Sequence, residues 1–241
     1  MIGMRGDSLL RSEKCRYFLV SFNGREDVEE ILRQLSSVTE IYGVGRDPNN
    51  PTRIRYVVCR GSRIPLKLEK ANVILGIGDK YLLSGPRVLV EYGLNAFCDD
   101  ILVVEPDRTM RERANGVFLC LEDTIATTFY HAIKYRPSWL RYIVMIYVSR
   151  RVDIGYLLNR CRLLGIENEL RKFLGLIFRT FRGEWSGDRA VRIGLSHPRF
   201  RHIVDYFNHL HWYEIFSDVE SFYGITPEVI VSLAGKQLFG Y

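Results

Sequence analysis

Several features are scarce or missing in this 241-residue chain, and each absence excludes something. The five cysteines, Cys15, Cys59, Cys98, Cys120 and Cys161, are odd in number and scattered, with no CxxC spacing. That rules out a zinc knuckle or a dithiol redox motif and leaves buried, reduced thiols as the expectation. No apolar run is longer than Tyr142 to Val148, whereas crossing a bilayer takes about 20 residues, and no window resembles a signal peptide. The expectation is therefore a soluble, cytoplasmic protein with no membrane partner. Glycines are present, but Gly61, Gly76 and Gly78 complete neither GxGxxG nor GxxxxGK[ST], so the two best-known phosphate-binding loops are absent. Glutamine is almost missing, with Gln34 and Gln237 alone, a bias shared with heat-adapted surfaces rich in charge networks.

What is plentiful is arginine, which supplies 27 of the 34 basic residues. The net charge of +6 is unevenly placed: Lys134 to Arg201 holds 15 basic and 5 acidic residues, net +10, which leaves −4 for the rest of the chain. The planar fork of arginine suits bidentate phosphate contact better than a lysine point charge does. The C-terminal half is thus a candidate polyanion-binding region, with Arg160, Arg162, Arg171, Lys172, Arg179 and Arg182 as candidate nucleic-acid contacts. Aromatic residues interleave with arginine in FRTFRGEW, as in single-strand binders, although Phe178 and Phe181 serve a core equally well.

The 47% apolar fraction is enough for a substantial core. Strand composition occurs at Arg16 to Ser21, followed by a helix in which Val28, Ile31, Leu32 and Leu35 repeat at helical spacing. Further strands are predicted at 39–44, 53–59, 72–77, 100–104 and 117–121, with a loop at GRDPNNP, a short helix over 86–92 and a charged turn at PDRTMRERANG. After Leu121 the pattern turns helical, with helices predicted over 122–135, 139–148, 154–164, 167–181, 198–213 and 227–238. The predicted fold is α+β: a mixed sheet with helices over residues 1–125, then a basic helical domain over 126–241.

The stretch YLLSGPRVLVEYGLNAFCDDILVVEP, Tyr81 to Pro106, carries a resemblance. A strand leads to the small turn Ser84-Gly85-Pro86, a short helix ends at Gly93, and a strand follows that begins with Asp99 and Asp100. This order resembles the core of nucleotidyltransferase-fold proteins of the abortive-infection toxin type, and the resemblance extends to about residue 174. It implies a toxin-antitoxin or defence setting, a triphosphate at Ser84 and Gly85, and magnesium at Asp99 and Asp100, which would be both catalytic and metal-binding. Arg151 would orient the nucleotide, with Arg150 and Asp153 beside it. The family's carboxylates alternate along the strand, so that both face the same metal pair. Here they are adjacent and Ile101 holds the second position, and adjacent strand residues point to opposite faces unless the strand begins only at Asp100. Pro86 also removes one backbone donor from the turn.

The same segment, with LEDTIATTF after it, is also similar to part of the winged-helix antitoxin of those systems. The readings left open are a degenerate transferase-like protein that binds a nucleotide or nucleic acid, an active magnesium-dependent nucleotidyltransferase, a DNA-binding regulator, and an interaction subunit with a protein partner. His202, Asp205 and His209 share one face of a predicted helix, where they either hold a divalent metal or form its solvated side. Glu122 and Asp123 stand where a helix start favours negative charge.

Overall fold

The computed structural model describes residues 9–22, 28–65, 71–74, 76–94 and 97–181. The fold is α+β: an N-terminal antiparallel sheet with helices, followed by a helical region. Two compact units divide the chain, one of residues 1–87 and 98–119, the other of residues 88–97 and 120–241. The helical unit thus takes in a segment that precedes it in the chain. No described helix is long and apolar enough to cross a membrane.

In the first unit, strands β1 (Leu9–Phe22), β2 (Glu40–Asp47), β3 (Asn50–Pro65) and β4 (Ala71–Ile74) form a sheet in the order β2-β3-β1-β4. All three pairings are antiparallel, and parallel neighbours occur at single bridges such as Val44 with Asp100 and Leu83 with Phe118. Helix α1 (Val28–Ser36) lays Ile31 and Leu35 against Phe18, Val20, Val57 and Cys59, all buried, as the helical spacing of its apolar residues requires. The turn between β2 and β3 is tighter than GRDPNNP suggests. The ladder continues to Asp47 opposite Asn50, because the Asp47 carboxylate accepts a bond from Asn49 N at 2.9 Å and closes the reversal itself.

Strands β5 (Leu82–Ser84) and β6 (Leu102–Val104) form a second, two-stranded sheet, and Leu83 also exchanges backbone bonds with Val117 and Leu119. Between β5 and β6 lies helix α2 (Pro86–Glu91), which crosses the unit boundary. The charged stretch after β6 holds helix α3 (Arg108–Arg113), where the sequence reads as a turn. Asp107 caps it by accepting from Met110 N at 2.9 Å, and the buried Met110 anchors it beside Leu82 and Leu119. A single apolar residue in so short a helix leaves no periodicity to detect. Val117–Leu121, predicted as a strand, contributes bridges only, and Leu121 already begins a helix.

The second unit contains α4 (Leu121–Lys134), a 3-10 turn (Pro137–Trp139), α5 (Leu140–Ser149), α6 (Ile154–Leu163) and α7 (Glu167–Phe181). Its core includes Ile125, Phe129, Leu140, Ile143, Leu157, Leu170 and Phe173, and the Phe129 and Phe173 rings lie 5.2 Å apart. The helices predicted over 198–213 and 227–238 lie outside the described residues.

Candidate functional site

The aspartate doublet owes its position to β2. A β-carbon on Gly43 would come within 3.0 Å of Ile101 Cβ, and one on Gly45 would overlap the Tyr56 ring. Glycine at position 43 lets the segment from Asp99 to Ile101 run beside β2, with Val44 N donating to Asp99 O at 2.7 Å and Ile101 N to Val44 O at 3.0 Å, while Gly45 makes room for the Tyr56 ring. Tyr56 locks the next residues, donating to Ile101 O and accepting from Val103 N, both at 3.3 Å. Burial pushes its phenol pKa up.

Regular strand geometry therefore starts only at Leu102, and the opposite-face expectation for the doublet does not apply to it. Instead both carboxylates converge on Arg46, whose Nη2 lies 2.8 Å from Asp99 Oδ2 and whose Nε lies 2.9 Å from Asp100 Oδ1. The side chains of Asp99 and Arg46 keep 45% and 26% of their exposure, so water reaches the pair. A magnesium ion at these oxygens would sit against a guanidinium already in contact with them, a like-charge encounter that weakens any cation site. Arg46 was not singled out from the sequence. The signal was GVGR, since a glycine inside a strand marks a close approach by another part of the chain, here the Asp99–Ile101 segment at Gly43.

The turn expected to cradle phosphate is filled by protein. Ser84 is fully buried. Gly85 has φ of +91°, and a β-carbon there would lie 3.0 Å from Leu102 N, so its glycine is accounted for by strain and by contact with the β6 backbone. Pro86 has no N–H, and Arg87 N donates to Asp100 O at 2.8 Å, so the first turn of α2 offers few free donors. The Arg87 guanidinium lies over the Tyr42 ring at 4.4 Å and donates to Tyr42 O at 3.0 Å.

In the second unit, Arg150 closes the end of α2 by donating to Tyr92 O at 2.8 Å and Gly93 O at 3.4 Å, and a β-carbon on Gly93 would overlap its guanidinium. Asp153 caps α6 by accepting from Tyr156 N at 3.0 Å, while its own N–H donates to Glu122 Oε1 at 2.9 Å. Glu122 and Asp123 do more than favour a helix start, for both are buried. Asp123 accepts from Tyr156 OH at 2.9 Å and from Cys120 Sγ at 3.1 Å. Arg160 Nε lies 2.7 Å from Asp123 Oδ1, close enough for an ion pair although its angle is poor for a hydrogen bond. Arg160 is only 5% exposed, so it belongs to the interior and not to a nucleic-acid surface.

Arg151, Arg162, Arg171 and Lys172 are exposed. Arg162 and Arg171 share a single carboxylate, with nitrogen-to-oxygen distances of 2.7 and 2.8 Å to Glu167. The two guanidiniums hold the Glu167 pKa down at about 2. Arg179 lies in α7, whereas Arg182, His202, Asp205 and His209 lie outside the described residues. Among the described residues no group of three or more His, Cys, Asp or Glu is arranged to hold a metal. Burial pushes the Cys59, Cys120 and Cys161 thiols up to about 12, which keeps them protonated and non-nucleophilic near neutral pH.

No known protein family, curated protein or solved structure matches the chain.

Proposed function

We propose that this protein binds nucleic acid through the exposed basic residues around α6 and the start of α7, and that its transferase-like segment serves as a structural frame and not as a catalyst. The observation that carries the reading is the exposed arginine at this surface: Arg162 and Arg171 share the one Glu167 carboxylate between them, and Arg151 is exposed just before α6. Guanidiniums held in place by a common acid keep outward N–H groups for phosphate oxygens. The absence of catalysis is supported by Arg46, which spans the two carboxylates that would otherwise hold magnesium.

Fluorescence anisotropy with labelled oligonucleotides tests this. Affinity is expected to fall steeply and linearly in log–log form with salt, by counterion release, with or without magnesium. Replacing Arg151 and Lys172 together by glutamate is expected to weaken binding at least tenfold. Binding that ignores both salt and these substitutions would refute the surface. Magnesium-dependent turnover of a labelled nucleoside triphosphate that vanishes in Asp100→Ala would instead make the protein a transferase.

A further inference from the structure

The turn at Asn115 in the first unit carries chemistry of its own, independent of the basic surface around α6 and α7. Asn115 N donates to Phe118 O at 2.9 Å and Phe118 N donates to Asn115 O at 3.1 Å, so the chain reverses over two residues, Gly116 and Val117. Gly116 has φ of +62°, a left-handed conformation that suits glycine at the tip of such a reversal. Asn115 and Gly116 are both exposed.

Three features of the turn favour attack by the Gly116 backbone nitrogen on the Asn115 side-chain amide. The Gly116 N–H donates to no described residue, so the attack gives up no hydrogen bond. The Asn115 amide makes no bond to a described residue either, which leaves its carbonyl carbon unrestrained. A β-carbon on Gly116 would meet nothing within 4 Å, so the space beside the backbone at this point is open. The other asparagines of the described residues lack this combination. Asn50 precedes Pro51, which has no N–H to react. Asn49, Asn72, Asn159 and Asn168 precede Asn50, Val73, Arg160 and Glu169, whose side chains crowd the attacking nitrogen. Asn72 also lies in β4, and Asn159 and Asn168 lie in α6 and α7.

We propose that Asn115 is a site of spontaneous deamidation, and that the product loosens the packing of Phe118. Gly116 N forms a bond to Asn115 Cγ, the Cγ–Nδ2 bond breaks, and the amide leaves as ammonia with the proton that Gly116 N gives up. The result is a five-membered cyclic imide. Water opens it at either carbonyl: cleavage at Cγ gives aspartate, and cleavage at the main-chain carbonyl gives isoaspartate, with the backbone now running through the former side chain. Nothing is oxidised or reduced, and water is the sole co-reactant.

Both products add a negative charge, and isoaspartate also lengthens the backbone by a methylene. In isoaspartate the carbonyl that accepts from Phe118 N becomes a carboxylate off the main chain, so the reversal loses its closing bond. Phe118 packs against Tyr17 and Tyr42, with ring centroids 5.6 and 5.9 Å apart. Val117 O accepts from Leu83 N at 2.8 Å and Leu119 N donates to Leu83 O at 3.0 Å. The disturbance is therefore directed at β5 and at the Tyr17 end of β1.

The test ages the full chain in mildly alkaline buffer and follows it by tryptic peptide mapping. The peptide 114–134 is expected to gain the mass of an amide-to-acid exchange, to split into two isomers, and to accept methyl groups from an isoaspartyl methyltransferase. The peptides 152–160 and 163–171, which hold Asn159 and Asn168, are the internal comparison and should change far more slowly. The sequence has one further Asn-Gly pair, Asn23-Gly24, outside the described residues, and it falls in the separate peptide 17–25. Gly116→Ala is expected to slow the reaction at Asn115 by about tenfold, since the added methyl hinders the nitrogen and disfavours the positive φ. Asn115→Gln, which would need a larger ring, is a second slow variant, and circular dichroism checks that both are folded. Hydrogen exchange in aged wild type should rise around Leu83 and Tyr17 and stay unchanged in aged Asn115→Gln. A peptide 114–134 that changes no faster than the two comparison peptides would overturn the site. So would a rate about tenfold or more below that of the urea-unfolded chain, which would mean that the turn protects Asn115. Modified protein with wild-type exchange at Leu83 and Tyr17 would overturn the structural consequence. Nucleic-acid binding enters none of these outcomes.

Discussion

At the scale of single residues, several of the described charges are answered by a specific partner. Arg46 spans Asp99 and Asp100, Arg150 closes the end of α2, and Glu167 holds two arginines. His131 is different. It stands among Tyr130, Tyr135 and Trp139, and burial, with Lys134 adding to it, lowers its pKa from 6.5 to about 4. The folded protein therefore resists protonation that the unfolded chain accepts. Stability should be intact above about pH 6.5 and should fall as pH drops toward about 4, by at most about 2 kcal/mol at pH 5. Thermal melts of wild type and His131→Gln at pH 7.5 and pH 5 check this: the wild type should lose more stability on acidification than the variant. Equal losses would mean that His131 titrates normally in the fold.

At the scale of elements, α4 and α6 are tied by buried polar bonds as well as by apolar packing. Asp123 on α4 faces Tyr156 and Arg160 on α6, and Glu122 receives the backbone N–H of the α6 cap. Removing one member of a buried ion pair strands the other, at a cost of about 3–5 kcal/mol, while replacing both by apolar residues of similar size is often neutral or better. Asp123→Ala alone should therefore lower the midpoint of denaturant unfolding far more than Asp123→Leu with Arg160→Met. If the double variant proves as unstable as the single one, the bridge contributes beyond its own charge balance. This link was only half legible in the sequence. An acid at a helix start is expected on electrostatic grounds, but its burial depends on a residue 37 positions away that no local pattern announces. The helices themselves were easier to read, because α4 to α7 each carry a long apolar stripe. α3 was missed for the opposite reason, having one buried apolar residue and a capping aspartate.

At the scale of the whole molecule, the two units exchange chain. Residues 88–97 belong with the helical unit although they sit between β5 and β6 in sequence, and Val88, Leu89 and Leu94 are essentially fully buried. Truncating a buried leucine costs about 2–5 kcal/mol. Leu89→Ala should therefore raise amide exchange in α4 to α6 more than in β1 and β3, as read by mass spectrometry. Uniform loosening of both would contradict the division. The change from strand to helix near residue 120 was visible as a change in hydrophobic period, while the transfer of residues 88–97 was not, since periodicity reports an element's type and not the neighbours it packs with. The site shows the same limit: the doublet stood out as a motif, but its guanidinium partner came from β2, more than fifty residues earlier.

The order β2-β3-β1-β4 sets a condition on synthesis. As the chain leaves the ribosome, β2 and β3 can zip together as a local hairpin, but β1, made first, belongs between β3 and β4 and has both its edges open until they follow. Nascent chains of this protein spend an interval with an exposed strand in waiting, and in that interval it is open to pairing with a second copy.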